Sequence, residues 1–299
     1  MVALTVAVTG ASGFVGRHVA QALRQRKHRV VALGRTPVPG EFRRWDAACE
    51  TPDLSGCDAV VHCAAAVGDT GQAQHFRAVN VEGASRLLGV VGERPVVWMS
   101  SSSVYSTRQR RHLADESHPT TEGHLGHYGR TKAVGEMMAL TQGAVVLRPT
   151  AVYGLDERHL VPRLRRLVMG HTLLLPGPDV QLSLTDVDGL ARAAVQALTW
   201  APGAYNIADP EPYSRDDVLI SVLGQVTGRA LRPLRLPLSP VELFGPLLPG
   251  INRYSLDLIT HEHTYDVRKA LAAGWDAGEV RVQELDWARA TPRYKAHRR

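Results

Sequence analysis

Two residues four apart carry the most telling chemistry in the sequence: Tyr128 and Lys132, in Tyr128-Gly129-Arg130-Thr131-Lys132. Moving hydride to or from a carbinol carbon requires a proton to move at the oxygen, and a free tyrosine, with a pKa near 10, is a poor base at neutral pH. A lysine one helical turn further on lies on the same face, and its positive charge favours the phenolate. Tyr and Lys at that spacing also pair on ordinary exposed helix faces, so the pair takes its meaning from its surroundings. Upstream of it an apolar, strand-like run ends in four consecutive serines, Ser100 to Ser103, followed by Val104-Tyr105.

A second group is suited to an anion. The apolar run at residues 4–8 leads into Thr9-Gly10-Ala11-Ser12-Gly13-Phe14-Val15-Gly16 and then a helical stretch with Val19, Ala20 and Leu23 on one side. Glycines there let the backbone turn tightly and approach a pyrophosphate, while the helix N-terminus offers free N–H groups and the positive end of its dipole. The strand-turn-helix context predicts a dinucleotide site; the bland alternative is a tight turn without a ligand.

Other groups point away from chemistry. His261-Glu262-His263 lacks the i,i+4 spacing of a helical zinc site, and His124 with His127 brings no carboxylate or thiol, so no metal is expected. Cys49, Cys57 and Cys63 are odd in number and lack C-x-x-C spacing, and they read as core thiols. The net charge of +6, from 35 Lys+Arg against 29 Asp+Glu, is spread out rather than interleaved with aromatics, so an anionic cofactor is a sufficient partner and nucleic acid is not expected. The apolar segments are interrupted well before the roughly 20 residues needed to cross a bilayer, and Met1 leads straight into strand-like sequence. A cytoplasmic protein without a membrane partner is the expectation.

The elements that must position these groups follow from periodicity. Apolar runs at residues 4–9, 29–33, 59–63, 96–100 and 144–147 alternate with helical stretches at 15–25, 75–91 and 128–142. Such runs with helices between them predict an α/β fold, a Rossmann-type doubly wound parallel sheet covered on both faces. After Arg148-Pro149 the pattern loosens into a basic amphipathic stretch at 160–169 and a Pro-rich segment at 233–249 that no regular helix or central strand would tolerate. Between them lie a further helix at 188–198 and a strand at 204–208. Residues 1–152 plus about 186–208 are therefore expected to form the dinucleotide-binding domain, with about 153–185 and 209–299 as the smaller substrate-binding region. The leucines of residues 231–248 are expected to wall an apolar substrate site, or else to form the small domain's core.

The G-x-x-G-x-x-G spacing of Gly10, Gly13 and Gly16 resembles the extended short-chain dehydrogenase/reductase family, which contains sugar-nucleotide epimerases, dehydratases and 3β-hydroxysteroid dehydrogenase-like enzymes. Further matches fall in order: His62-Cys63-Ala64-Ala65 resembles H-x-A-A, Asn80-Val81-Glu82-Gly83 resembles N-x-x-G, and Ser100 to Tyr105 resembles S-S-x-x-V-Y. Tyr128 to Lys132 is Y-x-x-x-K, and Arg148-Pro149-Thr150-Ala151-Val152-Tyr153-Gly154 resembles R-P-x-x-V-Y-G. Weaker patterns, Tyr205-Asn206-Ile207 and Tyr265 to Ala270, extend the resemblance over nearly the whole chain.

The resemblance implies an NAD(P)-dependent oxidoreductase acting on a small molecule, with Ser101 bonded to the substrate oxygen and Lys132 also on the nicotinamide ribose. It implies cofactor contacts from Gly10, Ser12, Gly13, Phe14, Val15, Gly16, Cys63, Ala64 and Ala65, and a homodimer through a helix bundle, common among relatives. Asn80 either contacts the cofactor or anchors neighbouring loops, and four serines in a row leave the Ser101 register open by one. Asp46 is a further candidate, for the adenine. Arg35 follows the second strand where NAD-preferring enzymes place an acid, so NADP is the expected cofactor and NAD the alternative.

Two departures matter. Ser106 stands where V-Y is usually followed by Gly. Sugar-nucleotide members carry an Arg that grips the diphosphate just before the segment equivalent to 183–188, whereas here no Arg lies between Arg166 and Arg192. The leading expectation is therefore a reductase or dehydrogenase of a small or hydrophobic alcohol/ketone pair. A sugar-nucleotide epimerase with retained cofactor is the alternative, followed by a dehydratase and by a non-catalytic NAD(P)H-sensing protein on the same fold.

Overall fold

In the computed structural model of the chain, which describes residues 2–68, 71–154, 156–157, 160–239, 253–279 and 281–287, seven strands form one parallel sheet. They are β1 (Thr5–Thr9), β2 (Arg29–Gly34), β3 (Glu41–Arg44), β4 (Ala59–His62), β5 (Val96–Met99), β6 (Val145–Pro149) and β7 (Gly203–Ile207). Their order is β7-β6-β5-β4-β1-β2-β3, and every pairing is parallel. The winding reverses between β1 and β4, so the crevice at the carboxyl ends of those two strands is the switch point where a doubly wound sheet binds its ligand.

The apolar runs are continuous because both faces are covered. Val6 and Val8, Val30 and Ala32, Ala59 and Val61, and Val97 and Met99 enter one core; Ala7, Val31 and Leu33, Val60, and Val96 and Trp98 enter the other. On the first face lie α1 (Phe14–Gln25), through Val19, Ala20 and Leu23, and α4 (Val187–Gln196), through Leu190, Ala191 and Ala194. On the second lie α2 (Gly83–Val91), through Ala84, Leu87, Leu88 and Val91, and α3 (His127–Thr141), through Ala139. The helix expected from residue 75 is an α-helical turn, Ala73–Arg77, and a π-helical turn, Ala78–Glu82, leading into α2. Such widened turns favour functional sites, and this one buries Asn80.

The later chain supplies two short layers. Arg232–Leu236 is an edge strand on Thr172–Pro176, which also pairs with Val168–Met169, so Pro233 sits where no inward N–H is needed. The basic amphipathic stretch at 160–169 runs from a helix, Leu160–Leu164, through a 3-10 turn into the strand Val168–Met169. Gly170, at φ +62°, turns that strand back on its neighbour, and pairing prevails over helical periodicity. Leu231 is buried with Leu173, Leu175 and, from α5 (Arg215–Thr227), Leu219 and Leu223; it is core, whereas Leu234 is exposed. Of the expected substrate wall, Val241, Leu243, Phe244, Leu247 and Leu248 lie outside the described residues.

Two long-range pairings tie this part to the sheet. Val267, Ala270 and Trp275 join the core under α1 and α4, and the Trp275 indole donates to Gly189 O at 3.0 Å. The strand Arg111–Ala114 pairs with His263–Tyr265, which brings a loop from the sheet's own half of the sequence against the C-terminal part.

Candidate active site

The turn after β1 is built for close approach. Gly10 has φ +65°, and a Cβ there would lie 2.8 Å from the Ala64 backbone; one on Gly16 would lie 2.2 Å from Gly10 O. The turn closes with Gly13 N–H donating to Gly10 O at 2.9 Å. Gly13 caps α1 without a side chain and no acidic residue occupies the first turn, so the helix's N–H groups and positive dipole end are left for an anion. These features fit a dinucleotide pyrophosphate. Ser12 and Gly13 are exposed on the turn, and Phe14 and Val15 are half-buried. Phe14 meets His18 edge-on at 5.4 Å and lies beneath Arg17.

Thr9, which sequence reasoning passed over, fixes the opposite wall. Its hydroxyl oxygen accepts from Cys63 N–H and Ala64 N–H, each at 3.1 Å, and pairs with His62 Nδ1 at 2.9 Å. The loop Cys63-Ala64-Ala65 is thereby clamped beside the glycine turn. Burial pushes His62 down to about 3, so its ring is neutral, and pushes the Cys63 thiol up to about 12, so it is no thiolate. Asn80 sits under the same loop: its carboxamide accepts from Ala66 N–H at 2.8 Å and donates to Ala66 O and to Thr131 Oγ1, each at 3.1 Å. These bonds anchor the loop to α3. Arg35 is exposed just past β2. Asp46, beyond β3, accepts from Ala48 N–H at 2.9 Å and shapes its own turn.

The second group gathers at the end of β5. Ser101 caps a 3-10 turn, Ser102–Val104, its hydroxyl accepting from Ser103 N–H at 3.2 Å. Tyr128 occupies the first turn of α3, which packs tightly on this serine turn because Gly129 faces Ser103 O: a Cβ there would approach to 2.4 Å. Tyr128, Ser103, Tyr105 and Arg111 all line a cavity of about 70 Å³, which adjoins a wider cleft of about 630 Å³. Ser106, buried where a glycine was expected, shapes the following turn by accepting from Arg108 N–H at 3.2 Å.

Lys132 is buried one turn along α3 and donates to Met99 O at the end of β5. Burial pushes its ammonium down to about 8, against the pull of Glu136 a further turn along. Glu136 serves several groups at once: Ser100 Oγ donates to it, and Arg148 donates through Nε at 3.0 Å and through Nη2. Arg148 also donates to Tyr105 OH at 2.9 Å and to Glu116 O at 3.1 Å, and Tyr105 OH donates to Asn206 Oδ1. Asn206, on β7, closes the chain by donating to Ala114 O and Asp266 O, each at 3.0 Å. Tyr105, stacked on Tyr265 at 5.3 Å while it also lines the cavity, and Arg148 thus brace the site floor. The i+4 carboxylate after Lys132 was the available signal for Glu136.

The glycine turn and the Ser-Tyr-Lys group share the sheet's carboxyl edge. A family model described as the NAD dependent epimerase/dehydratase family matches residues 6–208. The 2-alkyl-3-oxoalkanoate reductase of Shewanella oneidensis is 30% identical, over 88% of this chain and 79% of its own length. The 3-beta-hydroxysteroid dehydrogenase of Mycolicibacterium neoaurum is 28% identical, over 69% of this chain and 66% of its own. The solved structure of MoeE5 in complex with UDP-glucose and NAD has a TM-score of 0.73 at 26% identity, over 96% of this chain and 97% of that one. The chain belongs to the NAD dependent epimerase/dehydratase family, within the extended short-chain dehydrogenase/reductase enzymes.

Proposed function

We propose that this oxidoreductase interconverts an alcohol and a ketone with net consumption of the nicotinamide cofactor, Tyr128 moving the proton at the substrate oxygen. The observation that carries this reading is the convergence of Tyr128 and the serine turn on one cavity, with Lys132 buried one turn behind. The glycine turn and the Thr9-clamped loop would hold the dinucleotide, which when bound would supply or accept the hydride. Tyr128 donates the proton to the oxygen in reduction and takes it back in oxidation. Lys132, charged below about 8, favours the phenolate, and Ser101 holds the substrate oxygen.

The same reading takes NADP in preference to NAD, because Arg35 supplies a cation past β2 and no acidic residue lies from Gly34 to Gly40 to hold free ribose hydroxyls. Asp46 is the adenine-side contact. We further propose a cytoplasmic homodimer. Met137 on α3 and Val90 on α2 are exposed, and no helix among the described residues is long and apolar enough to cross a membrane.

The UDP-glucose in the MoeE5 complex favours a second reading, sugar-nucleotide epimerisation with retained cofactor. Against it, the segment before α4 offers Gln181, Leu182, Ser183 and Leu184 but no arginine, and Arg192 donates to Asp276 O and Ala277 O. The test incubates the protein with NADPH or NADH and separately with ketones and sugar nucleotides. Cofactor oxidation with a ketone, NADPH binding the tighter, is expected; an isomerised sugar nucleotide without net cofactor change would establish the epimerase instead.

A further inference from the structure

We propose that Ser103 is a second substrate-binding hydroxyl, beside the one that meets the reacting oxygen, and that the alcohol/ketone pair is a terminal 1,2-diol and its hydroxymethyl ketone; this rests on the reading above. Two buried polar atoms in residues lining the Tyr128 cavity have no hydrogen-bond partner, Ser103 Oγ and Arg111 Nε. The Arg111 guanidinium is already held by Asp257, at 3.0 and 2.8 Å through Nη2, so the Ser103 hydroxyl is the group left for a ligand. Thr107, another hydroxyl of the cavity wall, donates to Gly123 O at 2.7 Å. A buried hydroxyl with nothing to bond is costly until a ligand completes it.

Placement argues for the substrate. The Ser103 backbone is held from both ends: its N–H donates to Ser101 Oγ at 3.2 Å, and its carbonyl abuts Gly129, where a Cβ would approach to 2.4 Å. Ser103 is thereby fixed against the helical turn that carries Tyr128. Size and charge then choose the class. The cavity of about 70 Å³ is closed by Phe76, buried at 4% exposure with its ring 3.1 Å from where a Cβ on Gly71 would lie, and so admits one small group beside the carbinol carbon. Thr107, Arg111 and Leu125 line this cavity and the cleft of about 630 Å³ alike, so the larger substituent runs into the cleft. Three arginines and three carboxylates line the cleft and balance one another, which leaves no demand for a charged substrate. A serine hydroxyl both donates and accepts, and a neutral hydroxyl on the small group answers it. A hydroxymethyl group is that small, neutral, hydroxyl-bearing substituent. In oxidation the hydride leaves the secondary carbinol carbon for the nicotinamide, the proton passes to the Tyr128 phenolate, and the terminal hydroxyl stays unchanged against Ser103.

The test is calorimetric titration of the full chain, loaded with whichever of NADP+ or NAD+ binds tighter, using 1,2-hexanediol and 2-hexanol, followed by turnover of both. The diol is expected to bind at least about fivefold tighter, as one buried hydrogen bond allows. In Ser103→Ala, whose fold is checked by its urea unfolding midpoint, the two affinities should come within about twofold, through weaker binding of the diol. Equal binding of diol and 2-hexanol by the unaltered chain, binding of neither, or a diol preference that survives Ser103→Ala would overturn the assignment. A diol preference that Ser103→Ala removes, without turnover of the diol or of any ketone, would instead count against the alcohol/ketone reading and leave the Ser103 contact standing.

Discussion

Replacing Lys132 by Met should make the cofactor-free protein more stable and less active. Lys132 is 4% exposed, its ammonium donates to one carbonyl, Met99 O, and the nearby carboxylate, Glu136, is already engaged by Arg148. Burial therefore pulls its pKa from 10.5 down to about 8. The folded state holds this proton more weakly than the unfolded state does, so the charge opposes folding. At 1.36 kcal/mol per pKa unit, the gap between 10.5 and about 8 amounts to about 3 kcal/mol. The sign fixes the window: the cost is present in full below about pH 8 and fades as pH rises toward 10.5, where the lysine is neutral in both states. Met fills nearly the same volume and deletes the cost, but forfeits the bond to Met99 O, about 1 kcal/mol. A net gain of about 2 kcal/mol at pH 7 follows, shrinking to nothing or a slight loss near pH 10. Urea unfolding of both proteins at pH 7 and pH 10 measures it, and the difference between variants cancels every other titrating group. A Lys132→Met protein less stable than the parent at pH 7, or with the same advantage at both values, would refute the burial argument.

Tyr128→Phe should leave cofactor affinity within about threefold in a fluorescence titration yet lower turnover at least roughly a hundredfold, since only the proton-transfer group is lost; near-normal turnover would remove Tyr128 from the mechanism. Gly16→Ala puts a methyl 2.2 Å from Gly10 O and should weaken cofactor binding at least roughly tenfold and cost about 1–3 kcal/mol in urea unfolding, whereas an unchanged dissociation constant would deny the turn its cradle role. Ser101→Ala should lower turnover and, because Ser101 caps the 3-10 turn, cost about 1 kcal/mol in stability; loss of turnover in Ser103→Ala but not in Ser101→Ala would shift the substrate-binding serine by two positions.

What was legible in the sequence is what local pattern encodes. The runs at β1, β2, β4, β5 and β6 are readable because a strand buried on both faces must be apolar throughout, and the glycine turn because its close approaches to Ala64 and Gly10 exclude a side chain. Tyr128 and Lys132 are readable because one helix sets their spacing. Thr9 was not, since its clamp on Cys63 and Ala64 spans 54 and 55 residues, and a hydroxyl before a glycine carries no mark of its acceptor role. The division of 160–169 into a short helix and the strand Val168–Met169 could not be read either, because that strand is fixed by pairing with Thr172–Pro176, a choice the neighbouring strand makes. Arg111 is the furthest case. Nothing around it in Gln109-Arg110-Arg111-His112 separates a buried arginine from its exposed neighbour. The distinction is made by the parallel register of Arg111 with His263, which turns Arg111 inward to Asp257 and leaves Arg110 with Glu262 at the rim.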